Sequence, residues 1–251
     1  MSTLITLGCS FSEGVGCYDL ELLDNYKSVI DGEYVEKNKD NFLKGSIGSN
    51  LQNKFGYEKY INYAYGGSSN LGQFFNFFNN LPTDDDVTIL WQITFYLRKA
   101  TVTNKEIKDY TLKDEWVHLL YESKIKEYDN EIYQSSLLDD DDRIEISYYI
   151  KIMKEFCKLR GWKFYTWFWE NGEYRKVGDI NEQIKDCIIP FNKEPLSEDD
   201  TYQKFTEDGH PNEKGYQKIS DTLIRSIDTF IRDFPKPNKT PNEKKNINYI
   251  R

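Results

Sequence analysis

The chain has 251 residues, 33 of them basic and 42 acidic, for a formal net charge of −9. It is long enough to bury a full α/β core, and its acidic balance argues against a nucleic-acid partner, because binding to phosphates by counterion release needs the opposite sign. No run approaches the ~20 apolar residues that span a bilayer, and no basic segment followed by an apolar core opens the sequence, so no membrane partner and a cytoplasmic or particle-associated location are expected.

Leu4–Leu7 reads as a buried first strand, and Gly8-Cys9-Ser10 stands where that strand ends. Residues 17–45 are polar and irregular, the pattern of an insertion over a sheet edge. Ile47–Phe55 reads as a helix, and Tyr60–Asn62 as a short second strand running into Ala64-Tyr65-Gly66-Gly67-Ser68-Ser69-Asn70. Leu71, Phe74, Phe75 and Phe78 then repeat at i, i+3, i+4 and i+7, the stripe of a packed helix. The unbroken run Val87-Thr88-Ile89-Leu90-Trp91-Gln92-Ile93 predicts a strand buried on both faces. Residues 101–143 turn polar again and are expected to form an inserted helical cap or loop.

Ile146, Tyr149, Ile150, Met153 and Cys157 predict a helix that stops near Gly161, and a strand follows from Lys163 to Trp169; its aromatic run Tyr165–Trp169 reads as core, with Trp169 near the strand's end within reach of a site's rim. Asn212 is a suitable cap for a last helix with Tyr216, Ile219, Leu223, Ile227 and Ile231 on its core face. Residues 235–251 lack apolar periodicity and are expected to form a flexible tail, which leaves residues 1–234 as one domain. Strands alternating with helices predict a doubly wound, three-layer α/β/α fold around a mostly parallel sheet.

Chemistry concentrates at two places. Ser10 lies at the carboxyl end of the first strand, where open α/β sheets hold their ligands. His210, one of two histidines, sits in Glu207-Asp208-Gly209-His210-Pro211-Asn212, just before the last helix. The other histidine, His118, lies in the polar insertion and reads as a surface or packing residue. A serine hydroxyl needs a base to take its proton, an acid to orient that base, and N–H donors for the oxyanion. Ser10, His210 and an acid just upstream of His210 supply the first three, and Gly67 lies in a turn where a bare backbone can approach a substrate. The cysteines Cys9, Cys17, Cys157 and Cys187 show no metal-ligand spacing. The runs Asp84–Asp86 and Asp139–Asp142 lack the alternating ligands and glycine of a calcium loop, so neither a metal nor a cofactor is expected.

These blocks resemble the SGNH, or GDSL-type, hydrolase family. That family carries its nucleophile in Gly-Asp-Ser near the N-terminus, an oxyanion glycine after the second strand, an oxyanion asparagine after the third, and Asp-x-x-His before the last helix. Gly8-Cys9-Ser10-Phe11-Ser12 corresponds to the first block, with Cys9 in place of the aspartate. Residues 62–70 correspond to the second and put Gly67 at the oxyanion position. Residues 208–215 correspond to the last, with Asp208 as the acid or, at the family's own spacing, Glu207. The third block departs: Trp91-Gln92-Ile93-Thr94-Phe95 has no Gly-x-Asn, and Thr94, or alternatively Gln92, takes the donor's place. The resemblance implies a flavodoxin-like fold with a five-stranded sheet and a serine esterase that uses no cofactor or metal. Such an enzyme would cleave an acyl ester, an O-acetyl carbohydrate among the candidates, through an acyl-enzyme on Ser10. The oxyanion donors would be the N–H groups of Ser10 and Gly67, with Thr94 or Gln92 as the third. The departures at Cys9 and in the third block leave open a module of the same fold kept for binding or assembly. Acyl transfer to a sugar hydroxyl would use the same residues.

Overall fold

The structure is a computed structural model that describes residues 1–14, 45–65, 68–94, 98–102, 107–111, 140–169, 172–192, 194–200, 210–231 and 234. In chain order the elements are β1 (Ser2–Leu7), α1 (Ser10–Glu13), α2 (Ile47–Phe55), β2 (Lys59–Asn62), α3 (Asn70–Asn79), β3 (Asp86–Ile93), β4 (Arg98–Val102), β5 (Ile107–Thr111), α4 (Asp140–Leu159), β6 (Lys163–Phe168), α5 (Glu173–Ile180) and α6 (Glu213–Phe230). Two 3₁₀ turns, Glu182–Cys187 and Glu198–Asp200, lie between α5 and α6.

β1 is central because both its edges are paired, in parallel with β2 on one side and with β3 on the other, and β6 extends the sheet beyond β3. Side chains alternate between the faces of a strand, and both faces are covered. Leu4, Leu90, Tyr165 and Trp167 point to one face and pack under α2 and α6 through Leu51, Phe55, Tyr216 and Leu223. Ile5, Leu7, Ile89, Trp91 and Phe164 point to the other, where Phe77 of α3, Ile150 and Met153 of α4 and Val177 of α5 cover them. The result is the expected three-layer α/β/α arrangement. The chain leaves β1 for the β2 side and returns for the β3 side, so the carboxyl end of β1 is the topological switch point of the sheet.

Two expectations are corrected. Among the described residues the sheet has four strands, not five. The fifth position, beside β6, holds a single parallel bridge between Thr166 and Ile188, with Ile189 N–H donating to the Thr166 carbonyl at 2.8 Å. The segment leaves the sheet there because Phe191 packs on Trp167, ring centroids 4.8 Å apart, and Pro190 offers no N–H to a further strand. Second, the part of the 101–143 insertion that is described begins as an antiparallel ribbon, not a helical cap or loop. Arg98 to Val102 pairs with Ile107 to Thr111 against α3, in stretches that include the strand-favouring Thr101, Val102, Ile107, Tyr110 and Thr111. Residues 140–143 already belong to α4.

The stripe read in α3 packs in part against α4, and other residues of the helix are the buried ones. Asn70, Gly72, Gln73 and Phe77 are buried, while Phe74 and Phe78 are half-buried and pack against Tyr149 and Phe156 of α4 at 5.2 and 4.9 Å. The proposed insertion at 17–45, up to residue 44, and the tail from 235 lie outside the described residues. Among the described residues no helix is long and apolar enough to cross a membrane.

Candidate active site

The turn after β1 is built around Gly8. Its φ of +148° suits glycine, and a Cβ there would lie 2.6 Å from Ser12 Oγ and 2.8 Å from Gln92 Cβ. The flanking peptides are clamped from several directions. Gly8 N–H donates to Gln73 Oε1 at 3.0 Å, and its carbonyl accepts from Ser68 Oγ at 2.8 Å and from Tyr65 N–H at 3.2 Å. Gln92 underlies the same turn, its Oε1 accepting Ser12 Oγ at 2.6 Å and the Cys9 thiol at 3.6 Å. Cys9 thus meets the amide of Gln92.

The chain then makes one helical turn, α1, with Ser10 as its first residue. Gly14 closes it in the left-handed region at φ +91°, its N–H returning to the Ser10 carbonyl at 3.1 Å, and Tyr216 Oη donates to that carbonyl at 3.4 Å. Ser10 is held at the sheet's carboxyl edge and is 5% exposed. Across 200 residues of chain, His210 Nε2 lies 2.8 Å from Ser10 Oγ.

His210 is delivered by the start of α6. Asn212 caps that helix, Oδ1 accepting Gly215 N–H at 3.1 Å, and its own N–H and Nδ2 donate to the carbonyls of Asp200 and Asp199 at 2.9 and 2.7 Å. Gly215 permits this approach, because a Cβ there would stand 2.3 Å from the Asp200 carbonyl oxygen. Asp200 is buried, and its carboxylate takes the Lys218 ammonium together with the hydroxyl and N–H of Ser197 at 2.6 and 2.9 Å. The lysine's charge-assisted bond first, and the two Ser197 donors after it, hold this carboxyl down from 3.8 to about 2. A depressed folded-state pKa contributes stability that is present above the unfolded value and lost as pH falls through the folded one. Asp200→Asn is therefore expected to lower denaturant stability near neutral pH, with the gap to wild type closing between about pH 4 and pH 2. Urea melts of both proteins across that range check this, and a gap that stays constant with pH would sink it.

The structure brings Ser10 and His210 together. Gly67, Asp208, Glu207 and the second histidine, His118, lie outside the described residues. Both Thr94 donors are engaged, Oγ1 to the Ser68 carbonyl at 3.3 Å and N–H to Asn70 Oδ1 at 2.8 Å, and Asn70 Nδ2 donates back to the Thr94 carbonyl at 3.2 Å. Gln92 Nε2 is enclosed and has no partner among the described residues. Thr94 and Asn70 thus act on each other, lacing the end of β3 to the start of α3, and Gln92 holds the turn from below.

Three residues escaped sequence reasoning: Gln73, which takes the Gly8 N–H; Asn70, which pairs with Thr94; and Phe11, whose ring lies on His210 at 5.2 Å and 23°. The amides of Gln73 and Asn70 stand three apart in α3, as two polar residues on one helix face, and that spacing was the available signal. Trp169 is buried in the core, not at a rim, and stacks behind Phe11 at 4.1 Å.

Searches with the sequence match neither a protein-family profile nor a curated protein. Solved structures do align with most of the chain. TesA shares 11% identity over 92% of this chain and 100% of its own, with a TM-score of 0.48. A protein assigned to the G-D-S-L lipolytic family from Desulfitobacterium hafniense shares 9% over 90% of this chain and 99% of its own, with a TM-score of 0.45. A carbohydrate esterase whose active site is described as having divergent catalytic and non-catalytic binding functions shares 14% over 91% of this chain and 68% of its own, with a TM-score of 0.47.

Proposed function

We propose that the protein is a serine esterase of the SGNH type. The observation that carries this reading is the 2.8 Å contact between Ser10 Oγ and His210 Nε2 at the switch point of the sheet. A base within hydrogen-bond reach of a hydroxyl at a ligand crevice is what acyl transfer requires.

In this mechanism His210 Nε2 takes the proton as Ser10 Oγ bonds to the ester carbonyl carbon, and the carbonyl oxygen becomes an oxyanion. The first N–H groups of a helical turn have no partner within it, and that of Ser10, the first residue of α1, is assigned to the developing charge. The second donor is assigned to Gly67. The third is not assigned to Thr94, whose donors serve the fold around the turn; the Gln92 Nε2, enclosed and without a partner among the described residues, is the remaining candidate. The oxyanion collapses, the bond to the alcohol breaks, and His210 returns the proton to the leaving oxygen. Water then repeats the sequence on the acyl-enzyme, regenerating Ser10 and releasing the acid. Asp208, or Glu207 in its place, is assigned to the imidazole's other nitrogen. An acyl ester of a carbohydrate, an O-acetyl sugar for example, is the substrate class proposed.

The test is covalent. A fluorophosphonate is expected to form one adduct, mapped by mass spectrometry to Ser10, and to block hydrolysis of a short-chain nitrophenyl ester in step. Protein that stays unmodified under prolonged excess reagent would overturn the reading.

A further inference from the structure

Phe11 follows the nucleophile in the chain, yet its ring turns away from solvent and is 7% exposed. It is sandwiched between two other rings. Trp169 lies on one side, centroids 4.1 Å apart with planes 25° from parallel, and the imidazole of His210 is stacked at 5.2 Å and 23°. Trp169 is itself seated against Phe191 at 6.4 Å and Trp167 at 6.2 Å, so the stack is anchored in the core beneath α6.

On the esterase reading above, we infer that Phe11 is a positioning residue that helps to hold the His210 ring at Ser10. The 2.8 Å bond places one ring atom, Nε2, against Ser10 Oγ. A near-parallel aromatic face fixes the plane of the ring, and with it the direction of Nε2. Trp169 makes that face rigid, because it is buried and has no room to recoil.

The stack also responds to charge. Neutral imidazole on a phenyl face gains ordinary dispersion, whereas the imidazolium formed as Ser10 gives up its proton is drawn to the negative face of the ring. That gain exists only after proton transfer begins, so it lowers the barrier without tightening substrate binding. The role therefore falls on kcat and leaves KM nearly alone.

The experiment compares wild type with Phe11→Leu, which refills most of the volume without a π face, and with Phe11→Tyr, which restores the face. It reads kcat and KM for a short-chain nitrophenyl ester, the rate of Ser10 labelling by a fluorophosphonate, and the melting temperature. In Phe11→Leu, kcat and the labelling rate are expected to fall about tenfold with KM nearly unchanged, and Phe11→Tyr to recover most of the loss. If the leucine variant does not fold, Phe11→Met fills the same gap flexibly and takes its place. A folded leucine or methionine variant that reacts as fast as wild type overturns the inference, as does a loss confined to KM. Wild-type protein that is neither labelled nor active overturns the esterase reading itself, and this role with it.

Discussion

Replacing Ser10 with alanine is expected to lower ester turnover by about 10⁴-fold or more while leaving the fold in place. Among the described residues the side chain of Ser10 bonds only to His210 Nε2, so its removal takes away the nucleophile and little else. Alanine suits the first turn of a helix, and the bonds that hold the turn come from Gly8, Ser12, Gly14 and Tyr216. His210→Ala is expected to cost nearly as much, and the double variant hardly more than either, because a nucleophile without its base and a base without its nucleophile are about equally idle. Steady-state rates of the three variants beside circular dichroism melts make the comparison. Independent, multiplying losses, or turnover that survives in Ser10→Ala, would remove these two residues from the mechanism.

The second large effect is expected at Gly8. An alanine there must adopt φ near +148° and place a Cβ 2.6 Å from Ser12 Oγ and 2.8 Å from Gln92 Cβ. Gln92 Cβ is next to the backbone of β3 and cannot swing aside. Backbone strain and overpacking together put the loss at about 3 kcal/mol. Any relief by shifting the turn also breaks the bonds from Gly8 to Gln73 and Ser68 and moves Ser10, so labelling by a fluorophosphonate is expected to slow in the same variant. Gly161→Ala supplies the control. Its φ of +72° is also left-handed, but nothing lies within 4 Å of the new Cβ, so it reports the cost of the backbone alone, about 1 kcal/mol. Urea unfolding of both variants separates the two terms. Equal losses would mean that the packing of Gln92 and Ser12 against Gly8 is not what constrains this turn.

Wherever burial follows from local periodicity, the amino-acid sequence alone was decisive. The run of β3, apolar but for Thr88 and Gln92, calls for cover on both faces, and it is buried from Val87 to Ile93. The stripe of Tyr216, Ile219, Leu223 and Ile227 leaves α6 one face to turn inward, and Asn212 announces where that helix starts. The meeting of Ser10 and His210 was legible for a related reason: a Gly-x-Ser at a strand end and a His-Pro-Asn at a helix start are local signals, and a doubly wound sheet brings such ends to one edge.

Tertiary structure decided what depends on partners distant in the chain. The phenylalanines of α3 marked a packed stripe, but nothing local showed that Gln73 would be buried on the same helix to take the Gly8 N–H from 65 residues away. Thr94 looked like a donor for substrate until Asn70 and Ser68 were found to occupy its groups. The ribbon of β4 and β5 and the single bridge at Ile188 stand where a cap or loop and a full fifth strand were expected, because strand pairing is a contract between two segments and neither carries it alone. Phe11 is the sharpest instance. In the sequence it is one aromatic residue beside a serine, and only folding lays it between Trp169 and His210. Periodicity records which side of an element avoids water. Which polar group or ring it meets there is fixed by long-range packing, since a buried N–H or carbonyl must find its partner wherever the chain has placed one.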